Sequence, residues 1–234
     1  MITITTFASG SRGNCYYITD GNTPLLLEAG IKLKDIQQKL NFQLSSIAGV
    51  LVSHEHKDHC KAAQDIIKAG IDCYMSQECA DALRLYGHHR IRIVEAKEKF
   101  SLGTWTVLPF PVEHDVPALG FLLANTAGDK LLYITDSAYS RWKFNGLTHI
   151  MIETNYSLAI LNENIEAGLV PAEMKARLLR THFSLENAKD MLLANDLSLV
   201  KEIHLLHLSG NNSDAELFKR EVQKLTGKPT YIAG

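Results

Sequence analysis

The run Ser53-His54-Glu55-His56-Lys57-Asp58-His59 sets three imidazoles and Asp58 within six positions, directly after an apolar stretch and before a helical one. In an extended segment alternate side chains point the same way. His54 and His56 can therefore grip one ion, while Asp58 and His59, turning onto the next helix, face a second. Without a cation such a cluster is costly to bury, and a metal offsets that cost. Four ligands are too few for two ions, so the rest of the chain must supply more, each best placed at the end of a strand that aims it into a shared cleft. Three places qualify. Residues 107–112 lead into Glu113-His114-Asp115, residues 131–134 deliver Asp136, and residues 203–206 deliver His207.

The elements that must carry these groups read as one α+β domain over residues 1–234, with no linker or charge block dividing it. Strands are expected at 3–7, 16–19 and 24–27, separated by turn-rich segments, as a β-meander. Helical spacing follows at 31–40, a buried strand at 47–52, and an apolar helix face from Ala62 to Ile67 that stops at Gly70. Further strands are expected at 73–75, 105–110, 119–123, 131–134, 149–152, 203–206 and 230–232, and helices at 171–179, 185–194 and 214–225. Leu25-Leu26-Leu27-Glu28 and the segment from Leu131 to Asp136 echo each other as apolar strands ending in a carboxylate, as in a duplicated β-rich half packed on its twin.

Composition sets outer bounds. A chain of 234 residues buries roughly 70% of its unfolded surface, enough for a sizeable core without staples. With 46% hydrophobic and 21% charged residues, disorder and collagen-like structure are excluded. The 24 basic and 26 acidic side chains give a net charge of −2, so no global positive field advertises nucleic acid, although a local groove or metal ions can still attract phosphate. The start lacks a secretion signal and no apolar run reaches membrane-span length, which predicts a soluble cytoplasmic protein. Cys15, Cys60, Cys73 and Cys79 form no CxxC pair and are expected as reduced, mostly buried thiols.

Taken together, Phe7 to Asn14 (FASGSRGN), Leu27-Glu28-Ala29-Gly30, the HxHxDH run, Glu113-His114-Asp115, Tyr133 to Asp136, Glu153-Thr154-Asn155 and His207 to Asn212 resemble the metallo-β-lactamase superfamily. Within it they are most similar to the small bacterial YycJ-type branch of DNA exonucleases, and the same order of motifs occurs in tRNase Z. The resemblance implies an αββα four-layer sandwich with two transition-metal ions. It implies that His54, His56 and His114 hold the first ion, that Asp58, His59 and His207 hold the second, and that Asp136 bridges them. It pairs Glu153 with His182 as the group that orients and protonates a leaving oxygen, and it favours His207 over His182 as the last ligand. A bland role for His182, beside a helix cap at Ser184, competes with this. Ser209, Asn211, Asn212 and Arg180 are the candidate substrate contacts, with Lys175 and Arg177 near the last of them. Two positions depart from the branch. Glu28 stands where Asp normally buttresses a ligand histidine, and Tyr156-Ser157 stand where relatives often have His-Asp.

The chemistry implied is phosphodiester hydrolysis. Two divalent ions roughly 3.5 to 4 Å apart make a bridging water acidic, so that its hydroxide attacks phosphorus, and offer a Lewis acid to the phosphate oxygen. Asp58 and Asp136 bring two negative charges against four positive ones, which prefers an anionic substrate, while a histidine steadied by Glu153 can protonate the leaving alkoxide. Zn²⁺, Mn²⁺ and Fe²⁺ all suit such ligands. A DNA exonuclease is the first reading and a small cyclic-nucleotide phosphodiesterase the second. A thioester or lactam hydrolase is permitted by fold, and a non-catalytic metal module is disfavoured.

Overall fold

The structure, a computed structural model, describes residues 1–234 and divides into two compact units, one of Met1–Pro111, Val116–Asp129 and Gly234, the other of Val112–Asp115 and Lys130–Ala233. In chain order the first unit contains β1 (Thr3–Ala8), β2 (Cys15–Thr19), β3 (Leu25–Leu27), α1 (Leu33–Lys39), β4 (Val50–Leu51), α2 (Lys57–Cys60), α3 (Ala63–Lys68), β5 (Cys73–Met75), α4 (Gln77–Ala82), β6 (Ile91–Ile93), β7 (Phe100–Leu102), β8 (Trp105–Val112) and β9 (Ala118–Asn125). The second contains β10 (Lys130–Ile134), β11 (His149–Glu153), α5 (Leu158–Glu166), α6 (Ala172–Thr181), α7 (Leu185–Leu193), β12 (Glu202–Leu206), α8 (Ala215–Thr226) and β13 (Thr230–Ile232).

In the first unit, β1 to β6 lie side by side in sequence order. The expected meander is present: β1, β2 and β3 pair antiparallel, Thr3 opposite Thr19 and Tyr16 opposite Leu27. From β3 onward the pairing is parallel, because each connection crosses over through helix or loop. Leu26, Val50, Val52, Cys73 and Met75 pack against Ile36 of α1, Ile66 and Ile67 of α3 and Cys79 of α4. The β7–β8 hairpin continues into β9. In the second unit β10, β11, β12 and β13 run parallel, Leu131 opposite His149, Ile150 opposite Ile203 and Ile203 opposite Thr230. Their apolar runs are buried, as parallel strands covered on both faces require. Ser157, Ser184 and Asp214 cap α5, α7 and α8.

Several elements differ from expectation. The strand expected at 47–52 shrinks to β4, because a 3₁₀ turn at Leu44–Ser46 precedes it and the chain leaves the ladder at Ser53. The helix expected from 31 starts at Leu33, since Lys32 is an extended N-cap residue with φ −65° and ψ 144°. β6, β7, α4 and α5 were not expected, the first three being only three to six residues long. All four cysteines are buried free thiols, and burial pushes Cys60 and Cys73 up to about 12, so they stay protonated at neutral pH. No helix is long and apolar enough to cross a membrane.

One close approach fixes a sequence choice. A Cβ on Gly30 would stand 1.7 Å from Asp58 O and 2.6 Å from Asn14 N, both backbone atoms. Gly30→Ala should therefore destabilise by about 3 kcal/mol, the upper part of the usual overpacking range. A urea midpoint equal to the unsubstituted protein's would show that the approach is not required.

Candidate metal centre

In the first unit, the chain that leaves β4 delivers a nest of imidazoles. His54 and His59 are fully buried, and the His54 ring lies 4.7 Å from that of His56 and 4.3 Å from that of His59. Ser53 Oγ stands 2.8 Å from His54 Nδ1, and Asp58 Oδ2 is 3.5 Å from His59 Nε2. The short α2 that carries Asp58 and His59 is clamped by its carbonyls: Asp58 O accepts from Asn14 N and His59 O from Ala29 N, each at 2.7 Å. Glu28 fills the buttress position. Its Oε2 accepts from Ser53 N at 3.2 Å and its Oε1 lies 3.6 Å from His59 Nδ1. Glu28 has a backbone φ of +65°, a left-handed turn that a side chain adopts only at a cost.

In the second unit, four strand or helix ends converge. β10 delivers Asp136 and β12 delivers His207, each 2% exposed and each in the left-handed region, with φ of 44° and 52°. His207 Nδ1 lies 2.6 Å from Asp136 Oδ1, which also accepts from Thr135 Oγ1 at 2.9 Å. His114 Nδ1 donates to Thr181 O at 2.9 Å, and a carbonyl can only accept, so the hydrogen sits on Nδ1. His114 Nε2 is then presented 3.9 Å from Asp136 Oδ2 and 3.1 Å from Asp115 Oδ1. Burial pushes the His114 pKa down, against the pull of Asp136 and Asp115, which keeps the ring neutral.

Glu153, at the end of β11, is fully buried and uses both oxygens: Oε2 accepts from Ser137 N at 3.0 Å and Phe183 N at 3.1 Å, and Oε1 from His182 Nδ1 at 2.6 Å. Burial alone would lower the His182 pKa, but the charge and hydrogen bond of Glu153 outweigh it and raise it to about 9. His182 thus stands as an imidazolium at neutral pH. The bland role is real as well, for His182 closes α6 and Ser184 accepts from Asn187 N at 3.1 Å. Donor atoms of Asp136, Glu153, His182 and His207 all lie within 4.8 Å of one another. Imidazoles and carboxylates almost shut off from water are the donor set that divalent transition ions take, so the residues fit the implied metal.

The remaining expected contacts are placed as follows. Ser209 donates its N–H to Asn155 O at 2.8 Å, and Asn211 is exposed beside it. Asn212 is 3% exposed and accepts from Asn164 Nδ2 at 3.0 Å, so its side chain braces the loop. Arg180 is exposed on α6, its Nε donating to Ala176 O. Sequence reasoning missed Thr181, Ser137, Phe183 and Asn155, the last of which donates to His207 O at 2.9 Å. The first three act through backbone atoms, which no residue type announces.

Residues 24–191 match the family model described as a beta-lactamase superfamily domain. The chain is 27% identical to exodeoxyribonuclease YycJ of Bacillus anthracis, covering 97% of this chain and 90% of that one, and 26% identical to exodeoxyribonuclease WalJ of Streptococcus pneumoniae serotype 2, covering 90% and 82%. Among solved structures, the metallo-β-lactamase-fold protein YhfI of Bacillus subtilis superposes with a TM-score of 0.76 at 14% identity, covering 99% of this chain and 96% of that one. The short form of human tRNase Z gives 0.67 at 14% identity, covering 100% and 96%. With its histidine and aspartate motifs at the ends of strands and a family match that takes in most of its length, the chain belongs to the metallo-β-lactamase superfamily and has its α+β fold.

Proposed function

We propose that this chain is a dinuclear-metal phosphodiesterase that degrades DNA from an end. The observation that carries the reading is the Glu153–His182 pair, a buried carboxylate holding a protonated imidazole beside Asp136 and His207. Hydrolysis of a thioester has less need of such a donor than expulsion of a sugar alkoxide does, because a thiolate leaves readily without a proton. Names of the relatives YycJ and WalJ support DNA as substrate.

His54, His56 and His114 would hold one divalent ion, Asp58, His59 and His207 the other, with Asp136 shared, and Zn²⁺ or Mn²⁺ suits these donors. When bound, such a pair of ions lowers the pKa of water and neutralises charge that builds on phosphate. Asp58, 24% exposed in its side chain, can accept the proton that water gives up. His182 keeps Nδ1–H on Glu153 and delivers its Nε2 proton to the departing sugar oxygen as the P–O bond breaks. Ser209, Asn211 and Arg180 would contact the phosphate, and Asn212, which accepts from Asn164 Nδ2, would support the loop that presents the first two. A small nucleotide phosphodiester is the second reading, favoured by the net charge of −2 and by Arg90 and Arg92 both being paired with Asp72. Incubation of the Mn²⁺-loaded protein with end-labelled single- and double-stranded DNA, then with cyclic mononucleotides, decides between them. No cleavage of either would refute the proposal.

Elemental analysis of metal-replete protein gives about two transition ions per chain, and Asp58→Ala abolishes turnover while circular dichroism is unchanged, because a ligand is lost without opening a core cavity. His182→Ala loses on the order of 10² to 10⁴ in rate on a nucleotide phosphodiester but far less on a nitrophenyl phosphodiester, whose leaving group needs no proton. Equal losses would point to a binding role. In metal-free protein, His182 should titrate near pH 9 by NMR and Glu153→Gln should lower that value, as burial is then opposed only by the weaker pull of Asp136. Because the folded pKa is raised, the pair's stabilisation is full below pH 6.5 and is lost as pH climbs through about 9; the variant should lack that decline.

A further inference from the structure

Asn14, in the loop between β1 and β2, is fully buried, and its hydrogen bonds fix which end of its amide is which. Gly10 N–H, which can only donate, lies 2.9 Å from Oδ1, and the Tyr16 hydroxyl donates to the same oxygen at 3.1 Å. Tyr16 in turn takes a hydrogen from Ser9 Oγ at 2.8 Å. The amino end therefore faces the other way, with Nδ2 3.3 Å from Asp58 O and 3.1 Å from His59 Nε2. An amide NH₂ donates and has no lone pair to offer, so at 3.1 Å it takes His59 Nε2 as acceptor, ahead of any hydrogen that nitrogen could hold toward Asp58 Oδ2, 3.5 Å away. The ring hydrogen then belongs to Nδ1, on the side where Glu28 Oε1 lies at 3.6 Å.

We infer that Asn14 is a positioning residue for the metal centre, which locks His59 in the tautomer whose Nε2 is a bare lone pair and its Nδ1–H faces Glu28. The inference rests on the proposed role of His59 as a ligand. A ligating nitrogen must be unprotonated, and a ring held in the opposite tautomer would have to move its hydrogen before taking an ion. Asn14 Nδ2 has two hydrogens, so when Nε2 turns to an ion the amide keeps its bond to Asp58 O. Its main chain has a separate task, Asn14 N donating to Asp58 O at 2.7 Å and Asn14 O accepting from Gly30 N at 2.8 Å. These backbone bonds survive a change of side chain, so substitution isolates the amide.

Long-range ¹H–¹⁵N correlation on metal-free protein labelled in histidine reads the tautomer directly, with His59→Gln assigning the signal. The unsubstituted protein should show Nδ1–H at His59. Asn14→Asp places an acceptor where the donor was and should move the hydrogen to Nε2, while Asn14→Ala should give a mixture. Zn²⁺ titration against a competing chelator should find one ion held about 10-fold more weakly in Asn14→Ala and the other unchanged. Nε2–H in the unsubstituted protein would overturn the inference, as would an unchanged tautomer in Asn14→Asp or equal weakening of both ions. Should Asn14→Asp not fold, the first measurement and the alanine variant still decide. The expected tautomers and metal split in a protein that cleaves no phosphodiester would support this inference and overturn the proposed function alone.

Discussion

A carboxylate with no exposure must find donors for both oxygens or lose its charge, and Glu153 meets that demand in a way that organises the second unit. Its three donors come from two segments: Ser137, one residue past Asp136, and the consecutive pair His182 and Phe183, between the end of α6 and the cap of α7. Satisfying one buried charge thus sets the loop after β10 and the junction of two helices at once. The same charge holds His182 protonated. A structural requirement and a chemical one are met by the same two oxygens.

The second constraint is conformational. Glu28, Asp136 and His207 each follow an apolar strand and each sit at positive φ, where non-glycine residues are uncommon. A strand that ran straight on would send these side chains onto one face of the sheet. The left-handed step turns them aside, and the surrounding bonds, from Thr135 to Asp136, from Asn155 to the His207 carbonyl and from Ser53 to Glu28, keep the strained turns in place. The echo between Leu25 to Glu28 and Leu131 to Asp136 is therefore one of backbone conformation as well as composition.

The parts legible in the sequence are those in which side-chain type and spacing carry the signal. The HxHxDH run, the strand ends at Asp136 and His207, the opening meander and the parallel apolar strands all stood out for this reason, with boundaries within a few residues. α4, β6 and β7 did not, because three to six residues are too few for a period to show. The Glu28 substitution could be noted as a departure, but that its oxygens still reach Ser53 N and the side of His59 Nδ1 is a matter of distances. Thr181, Ser137 and Phe183 contribute a carbonyl or an N–H, and every residue type offers those. Asn14 was legible only as part of a glycine-rich motif; its bearing on His59 is a matter of which atom faces which.

α6 buries only Thr181 of its ten residues, yet the carbonyl of that residue orients His114 and the next residue is His182. Exposed helices with so few apolar contacts open at small free-energy cost, long before a covered sheet does. Two of the groups the proposed chemistry uses therefore hang on a sparsely buried helix of the second unit. On warming, such an arrangement should go silent while its sheet is still intact, so that inactivation would run ahead of unfolding.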